Sequence, residues 1–245
     1  MGWMNDILQY IGKNAVYRRW EHRHITFSLL YAFSENFILP FSHDEVVHGK
    51  GSMFGKIPGD DWQKAATLRA LYGFMYSHPG KKLMFMGSEF GQGREWNEDR
   101  SLDWHLLDRP LHAGLKQYVA DLNRIYASEA ALHDLDFDPA GFEWIDCNDN
   151  ENSVVSFIRR ARNGELVVAV VSFTPVPRDG YRIGVPAAGA FTELVNSDAE
   201  VYGGSNLGNQ GMAFTEPIPS HGHAQSLKLN LPPLACLWLK PSQAG

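Results

Sequence analysis

The sequence predicts an α/β part followed by an antiparallel β domain. Residues 1–130 of the 245-residue chain alternate short apolar runs with helix-like periodicity. Residues 135–240 are rich in β-branched runs that Gly, Pro and Asn separate. Strand–loop–helix repeats are typical of parallel α/β folds, whereas short strands between turns are typical of antiparallel sheets. We expect the boundary near Leu132–Asp138, so that the two parts are residues 1–131 and 132–245.

The first elements follow from apolar spacing. A helix is expected from Trp3 to Ile11, and Phe37–Phe41 is expected to form a buried strand. The run Thr26–Tyr31 is predicted as a second buried strand, although its pattern is also compatible with a helix.

The next elements are delimited by caps and breakers. Asp60 and Asp61 precede an apolar period from Trp62 to about Ser77, so they are candidate caps of a helix with one apolar face. We expect a short buried strand at Lys82–Gly87 and a second clear helix from about Pro110 to Ser128.

The second part carries hairpin signals. Val154–Arg159 and Leu166–Phe173 flank Asn163-Gly164, a dipeptide that favours a tight turn between paired strands. Leu227–Leu231 alternates apolar and polar residues, and Leu234–Leu239 is a further candidate strand. Together these runs predict an antiparallel β-sandwich.

Composition excludes several classes of function. The net charge is −6, which argues against a general nucleic-acid binder or an anionic-membrane binder. Only two cysteines are present, as expected for a reducing, cytoplasmic environment rather than a disulfide scaffold. No apolar run is long enough to span a membrane. Aromatic residues make up 12% of the chain, which suits either sugar stacking or an aromatic core.

The densest polar cluster, Ser42–Lys50, directly follows the strand predicted at Phe37–Phe41. In α/β folds, active sites form at the carboxyl ends of strands, so His43, Asp44 and Glu45 are candidate site residues. The alternative is a solvated loop in which the Asp caps a turn. His43 and His48 are five residues apart, unlike a helical zinc pair, so no metal site is expected.

A second candidate region follows the strand predicted at Lys82–Gly87. Its loop contains Glu89 and continues to Trp96 and Trp104, whose rings suit a sugar-binding groove, with ordinary loop packing as the alternative. The chain has no G-x-S-x-G elbow, no phosphate-binding loop and no complete dinucleotide fingerprint, so no cofactor is expected.

The string Ser42-His43-Asp44-Glu45-Val46-Val47-His48-Gly49-Lys50 resembles the signature of bacterial glycogen branching enzymes, members of the alpha-amylase superfamily. The wider superfamily shares only the His-Asp pair of this string. The resemblance continues through most of the chain, at Pro58–Asp60, Ala70–Gly73, Pro79–Leu83, Gly87–Asn97, Ser101–Leu107, Leu135–Asp138, Gly141–Trp144, Phe173–Arg178 and Leu231–Ala235.

This resemblance implies the C-terminal part of a (β/α)₈ TIM barrel followed by the β-sandwich, with further domains N-terminal to the barrel. Enzymes of this family cut an α-1,4-glucan and rejoin the cut segment to a 6-hydroxyl, through a covalent glycosyl-enzyme. The nucleophile and the acid/base of the family lie on earlier barrel strands. Because Met1–Met4 resembles the stretch just beyond the acid/base strand, both carboxylates are expected to be absent from this chain.

By the same resemblance, Asp44 is the third acid, which stabilises the transition state, and His43 contacts a sugar hydroxyl. Glu45, Trp96 and Trp104 are expected substrate contacts, and the family gives Glu89 no proton-transfer role. The partners expected are an α-glucan and the N-terminal part of the same enzyme.

Three interpretations remain open for the whole chain. The first is a C-terminal fragment of a branching enzyme that is inactive alone. The second is a glucan-binding remnant without turnover. The third is another superfamily member, such as a trehalose-releasing hydrolase, which the run Glu45–Lys50 disfavours.

Overall fold

Helices dominate the first half of the chain and strands dominate the second. The computed structural model describes residues 2–242. The α-helices are α1 (Gly2–Ile11), α2 (Arg23–Thr26), α3 (Asp61–Ser77) and α4 (Pro110–Ser128). The strands are β1 (Ile38–Phe41), β2 (Lys81–Met84), β3 (Phe142–Asp146), β4 (Val154–Arg160), β5 (Leu166–Ser172), β6 (Arg178–Val185), β7 (Ala190–Asn196), β8 (Met212–Glu216), β9 (Gln225–Leu231) and β10 (Ala235–Pro241). Short 3₁₀ helices connect several of them.

The predicted strand at Thr26–Tyr31 is wrong, and its helical alternative is correct. This stretch contains the end of α2 and a 3₁₀ helix at Phe27–Leu30. The buried positions nearby are Ile25 and Ser28, three residues apart, whereas Leu30 is 79% exposed. That spacing places one helical face against the protein, whereas a strand would bury alternate residues.

Strands β1 and β2 form a parallel pair connected by α3, with register from Ile38↔Lys81 to Phe41↔Met84. The expectation that β2 is buried is wrong, because Leu83 is 41% exposed. Ile38 on the neighbouring strand is also exposed. Within residues 2–242 this sheet has only two strands, so both of its edges lack a paired strand.

Helix α3 begins at a capping box. The Asp60 carboxylate accepts the Gln63 N–H at 2.8 Å, and the Gln63 side-chain oxygen accepts the Asp60 N–H at 3.2 Å. From Ala65 to Ser77 every residue is buried, so the helix is enclosed on all sides rather than on the single face predicted. It packs against α4, β5 and β10, which explains why its apolar residues are not confined to one stripe.

The second half is an antiparallel sheet of eight strands in the order β3-β4-β5-β10-β7-β8-β9-β6. The Asn163-Gly164 turn joins β4 to β5 as predicted, with Arg160 opposite Leu166. The sheet folds back so that its end strands β3 and β6 contact each other. The Tyr181 hydroxyl on β6 donates to Asp149, after β3, at 2.6 Å.

Two apolar cores share the middle strands of this sheet. On β5, Val167 and Val171 belong to the core that contains α3, whereas Val168 and Val170 face the core enclosed by the folded sheet. Strands β4 and β10 divide their side chains in the same alternating way. Because both faces are covered, these strands are apolar at nearly every position.

Three buried arginines connect the halves through backbone carbonyls. Arg18 donates to Phe173 O at 2.8 Å, and Arg69 donates to Ser197 O at 2.6 Å. Arg159 donates to the carbonyl of Ser77, at the end of α3, at 2.7 Å. These charged hydrogen bonds fix the β domain against α3 and the segment after α1.

Candidate functional site

The candidate site begins with a fixed polar turn at the end of β1. Residues His43–Glu45 form a 3₁₀ helix capped by Ser42, whose hydroxyl accepts the Asp44 N–H at 3.3 Å. Glu45 Oε2 accepts both the Ser42 N–H at 2.6 Å and the Ser42 hydroxyl at 2.8 Å. Glu45 is buried, and these two hydrogen bonds to its carboxylate stabilise the turn that carries His43 and Asp44.

The structure brings His43 and Asp44 together on the surface. His43 Nε2 lies 3.3 Å from Asp44 Oδ1, and their side chains are 57% and 68% exposed. Neither residue lines the apolar cleft of about 710 Å³ formed around Phe27, Leu30 and Trp144. The pair therefore lies at an open position, where water screens its charges.

Trp96 is brought near His43 by an aromatic residue that the sequence did not single out. The Phe85 ring lies 5.8 Å from the His43 ring and 5.2 Å from the Trp96 ring, nearly perpendicular to the latter. The Trp96 N–H donates to Val46 O at 2.8 Å, which joins its loop to the loop after Asp44. Phe85 directly follows β2 and has no sequence pattern that marks it as a site residue. Its contacts with His43 and Trp96 arise only from the tertiary structure.

Trp104 lies on a neighbouring segment. Its ring packs on Phe90 with centroids 5.3 Å apart, and the residue is 50% exposed. An ion pair between Arg94 Nε and Asp103, at 2.8 Å, connects this segment to the one that carries Trp96.

Glu89 is only partly exposed. It lines a cavity of about 520 Å³ with Tyr76, Lys82 and Tyr126, between β2 and the two long helices.

The ligand-type side chains do not converge as a metal site. His48 is fully exposed, with Nδ1 3.6 Å from Glu95 Oε2. Over residues 2–242, no three His, Cys, Asp or Glu side chains cluster closely enough to hold a metal ion. No helix in the same range is both long and apolar enough to cross a membrane.

Two loops around the site are joined by charged groups. Glu95 Oε1 accepts the Gly51 N–H at 2.7 Å, and the Lys56 ammonium donates to the Gly51 carbonyl at 2.8 Å. The Gly51 N–H, followed by that of Gly49, holds the pKa of Glu95 below its ordinary value. Sequence reasoning missed Lys56, because a lysine in a polar loop has no pattern of its own.

Sequence comparison gives two consistent results. Residues 144–242 match the family described as alpha amylase, C-terminal all-beta domain. The chain is 60% identical over 241 residues to the 1,4-alpha-glucan branching enzyme GlgB of Aromatoleum aromaticum, covering 98% of this chain and 38% of that relative. It is 57% identical to GlgB of Aquifex aeolicus, with the same coverage. The chain therefore spans less than half the length of these curated relatives.

Comparison with solved structures supports the fold. A crystal structure of AmyP in complex with maltose superposes with a TM-score of 0.62 at 15% identity, covering 100% of this chain and 50% of that chain. Over nearly its whole length, the chain thus resembles the C-terminal portion of bacterial 1,4-alpha-glucan branching enzymes of the alpha-amylase superfamily, and residues 144–242 match the C-terminal all-beta domain of alpha amylases.

Proposed function

We propose that this chain forms the C-terminal part of a 1,4-alpha-glucan branching enzyme and supplies the third acid of its active site, Asp44. The observation that carries the proposal is the position of His43 and Asp44 directly after a parallel strand, in a chain 60% identical to such an enzyme. Active sites of α/β barrels lie at the carboxyl ends of the strands.

The parallel pair supports a partial barrel. β1, α3, β2 and α4 follow one another as two strand–helix units of the kind that repeats in a (β/α)₈ barrel. The exposed Ile38 and Leu83 are apolar strand residues that further barrel strands would cover. In this proposal, residues 1–131 are the end of the barrel and residues 132–245 are the β-sandwich.

The chemistry proposed for the whole enzyme is retaining transfer of a glucan segment to a 6-hydroxyl. Such a reaction requires a nucleophile and an acid/base about 5–5.5 Å apart, and the family resemblance gives neither role to a residue of this chain. Asp44 would contact sugar hydroxyls and support positive charge as it develops on the sugar ring. Electrostatic support of this kind is strong only where water is excluded. Because the Asp44 side chain is 68% exposed, the proposed role requires that the rest of the enzyme and the bound glucan cover it.

Four further residues are proposed substrate contacts. Glu45 is 8% exposed and its Oε2 accepts both hydrogen bonds from Ser42, so a glucan contact of this residue would have to use Oε1. Trp96 and Trp104 would offer ring faces to glucose units. His43 would contact a sugar hydroxyl through its exposed imidazole. No metal or cofactor is needed for these roles.

A second candidate function is glucan binding without turnover. It is favoured by the exposure of His43, Asp44 and Trp104, and by a family resemblance that gives the other two acid roles to no residue of this chain.

The purified chain tests both functions. An iodine-stained amylose assay is expected to give no branching, because the family resemblance gives the nucleophile and acid/base roles to no residue of this chain. Affinity electrophoresis in glycogen is expected to slow the chain, and Asp44→Asn should migrate faster than the unchanged chain. Asp99→Asn is a matched control on an exposed loop position. Formation of α-1,6 linkages by the chain alone would contradict its assignment as an incomplete active site.

A further inference from the structure

The loop Val46–Ser52, called here the HGK loop, is bound by two side chains of opposite charge. One accepts a hydrogen bond from a backbone N–H of the loop, and the other donates hydrogen bonds to backbone carbonyls of the loop. Glu95 lies on the amide side, where its Oε1 accepts the Gly51 N–H at 2.7 Å. Lys56 lies on the carbonyl side, where its ammonium donates to Lys50 O and, at 2.8 Å, to Gly51 O. Gly51 is therefore held through both its N–H and its C=O.

The backbone of the HGK loop depends on these contacts. Gly49 and Gly51 have φ values of 81° and 75°, in the left-handed region that favours glycine. A segment with two such glycines has many alternative conformations, so external hydrogen bonds are needed to select one. The two charged side chains provide hydrogen bonds stronger than neutral ones.

The same contacts reach the candidate site. Lys56 also donates to the carbonyl of Glu45, the residue whose carboxylate holds the turn of His43 and Asp44. On the other side, the residue after Glu95 is Trp96, whose N–H donates to Val46 O at 2.8 Å. Glu95 and Lys56 thus connect the Asp44 turn, the HGK loop and the Trp96 segment.

We propose that Glu95 and Lys56 are positioning residues of the glucan site, which act by fixing the HGK loop between the Asp44 turn and Trp96. The inference rests on the proposed glucan-binding function. Neither residue needs to touch the glucan. Replacing Glu95 or Lys56 would leave the side chains of Asp44 and Trp96 unchanged but would let them move relative to each other. Glucan binding would therefore weaken without global unfolding.

The test measures loop order and glucan binding separately in the 245-residue chain. Amide hydrogen exchange of residues 46–51 reports on the loop, and a chemical-shift titration with maltoheptaose reports on the site. Glu95→Ala and Lys56→Met are each expected to accelerate exchange at Gly51 about 10-fold and to weaken maltoheptaose binding several-fold, with little change in Tm. Glu95→Gln keeps an oxygen acceptor for Gly51 and should restore most of both properties.

Matched controls come from exposed residues. The control variants are Glu98→Ala and Lys116→Met. Glu98 lies three residues after Glu95, Lys116 lies on α4, and both residues are exposed. Each control should behave as the unchanged chain does. Unchanged exchange in Glu95→Ala and Lys56→Met would overturn the proposal, and so would faster exchange with unchanged maltoheptaose affinity. If the unchanged chain bound no maltoheptaose, the glucan site itself would be refuted, while the exchange rates would still show whether the two residues hold the loop.

Discussion

His78 shows how the fold fixes the protonation state of a single residue. It is fully buried after α3, where Nδ1 lies 2.9 Å from Pro79 O and Nε2 lies 3.0 Å from the Ser28 hydroxyl. A carbonyl oxygen only accepts, so Nδ1 carries the proton and Nε2 accepts from Ser28. Burial lowers the pKa of His78 from 6.5 to about 3, and the neighbouring Lys82 also lowers it.

This pKa predicts an acid-sensitive stability. Between about pH 6.5 and pH 3 the unfolded chain binds a proton that folded His78 does not bind. Stability should therefore fall on acidification below about pH 6.5, by roughly 1 kcal/mol per pH unit from this residue, and should not change from this cause above pH 7. Urea unfolding at pH 7 and pH 5.5 measures the difference.

His78→Gln separates this effect from other titrations. The variant is expected to be less stable at pH 7, because the buried hydrogen bonds change, but to lose less stability between pH 7 and pH 5.5. His105→Gln, at an exposed position, should keep the original pH dependence. An identical loss in His78→Gln and the unchanged chain would refute the assignment of the acid sensitivity to His78.

The packing of helix α3 depends on its close contact with β10 and α4. A Cβ at Gly73 would lie 2.6 Å from both Cys236 Cβ and the Tyr118 hydroxyl oxygen. Neither neighbour has free space, because both are fully buried. The absence of a side chain at Gly73 therefore allows α3 to approach β10 and α4.

Gly73→Ala is expected to destabilise the chain by about 1–3 kcal/mol, although alanine favours a helix over glycine by about 1 kcal/mol. Overpacking outweighs propensity because the added methyl group meets packed atoms. Thermal unfolding of the variant measures the loss. Gly93→Ala is the control, since a Cβ there meets nothing within 4 Å. A Gly73→Ala chain as stable as the original would show that the helix can shift to make room.

Local signals allowed most elements to be predicted. Helix α3 starts within one residue of its predicted position because Asp60 caps it, and α4 runs from Pro110 to Ser128 as predicted. The Asn163-Gly164 hairpin was equally local. The errors at Thr26–Tyr31 and in the burial of β2 arose because an apolar run does not specify what covers it.

The candidate site also contains residues that local sequence predicted and residues that it did not. The position of His43 and Asp44 at a strand end was predicted from consecutive residues. Phe85, which lies between His43 and Trp96, and Lys56, which lies against the HGK loop, were not, because their roles come from contacts between segments far apart in sequence.

The helical part and the β domain share a core. Phe157 and Phe173 in the β domain lie within 6.1 Å of the Phe74 ring on α3, and Trp238 is buried in the same core. The buried Arg159–Asp136 pair, at 2.9 Å, lies where the parts meet. The sheet therefore relies on the helices for one of its two buried faces.

Residues 132–245 alone are expected not to fold as the full chain does, because that face becomes exposed. Calorimetry should show no cooperative transition near the Tm of the full chain, and a dye that binds apolar surface should fluoresce strongly. The full chain under the same conditions is the control. A cooperative transition of the isolated part at a similar temperature would show that the shared core contributes little.

The role of Asp44 as the third acid can be tested only in an enzyme that has the other two acids. The Aromatoleum aromaticum relative, with its matching segment replaced by this chain, provides one. We expect this chimera to branch amylose, and Asp44→Asn to lower its branching rate by at least about 100-fold without lowering its Tm, whereas Asp99→Asn leaves the rate unchanged. A rate for Asp44→Asn within a few-fold of the chimera would contradict the assignment of Asp44 as the third acid.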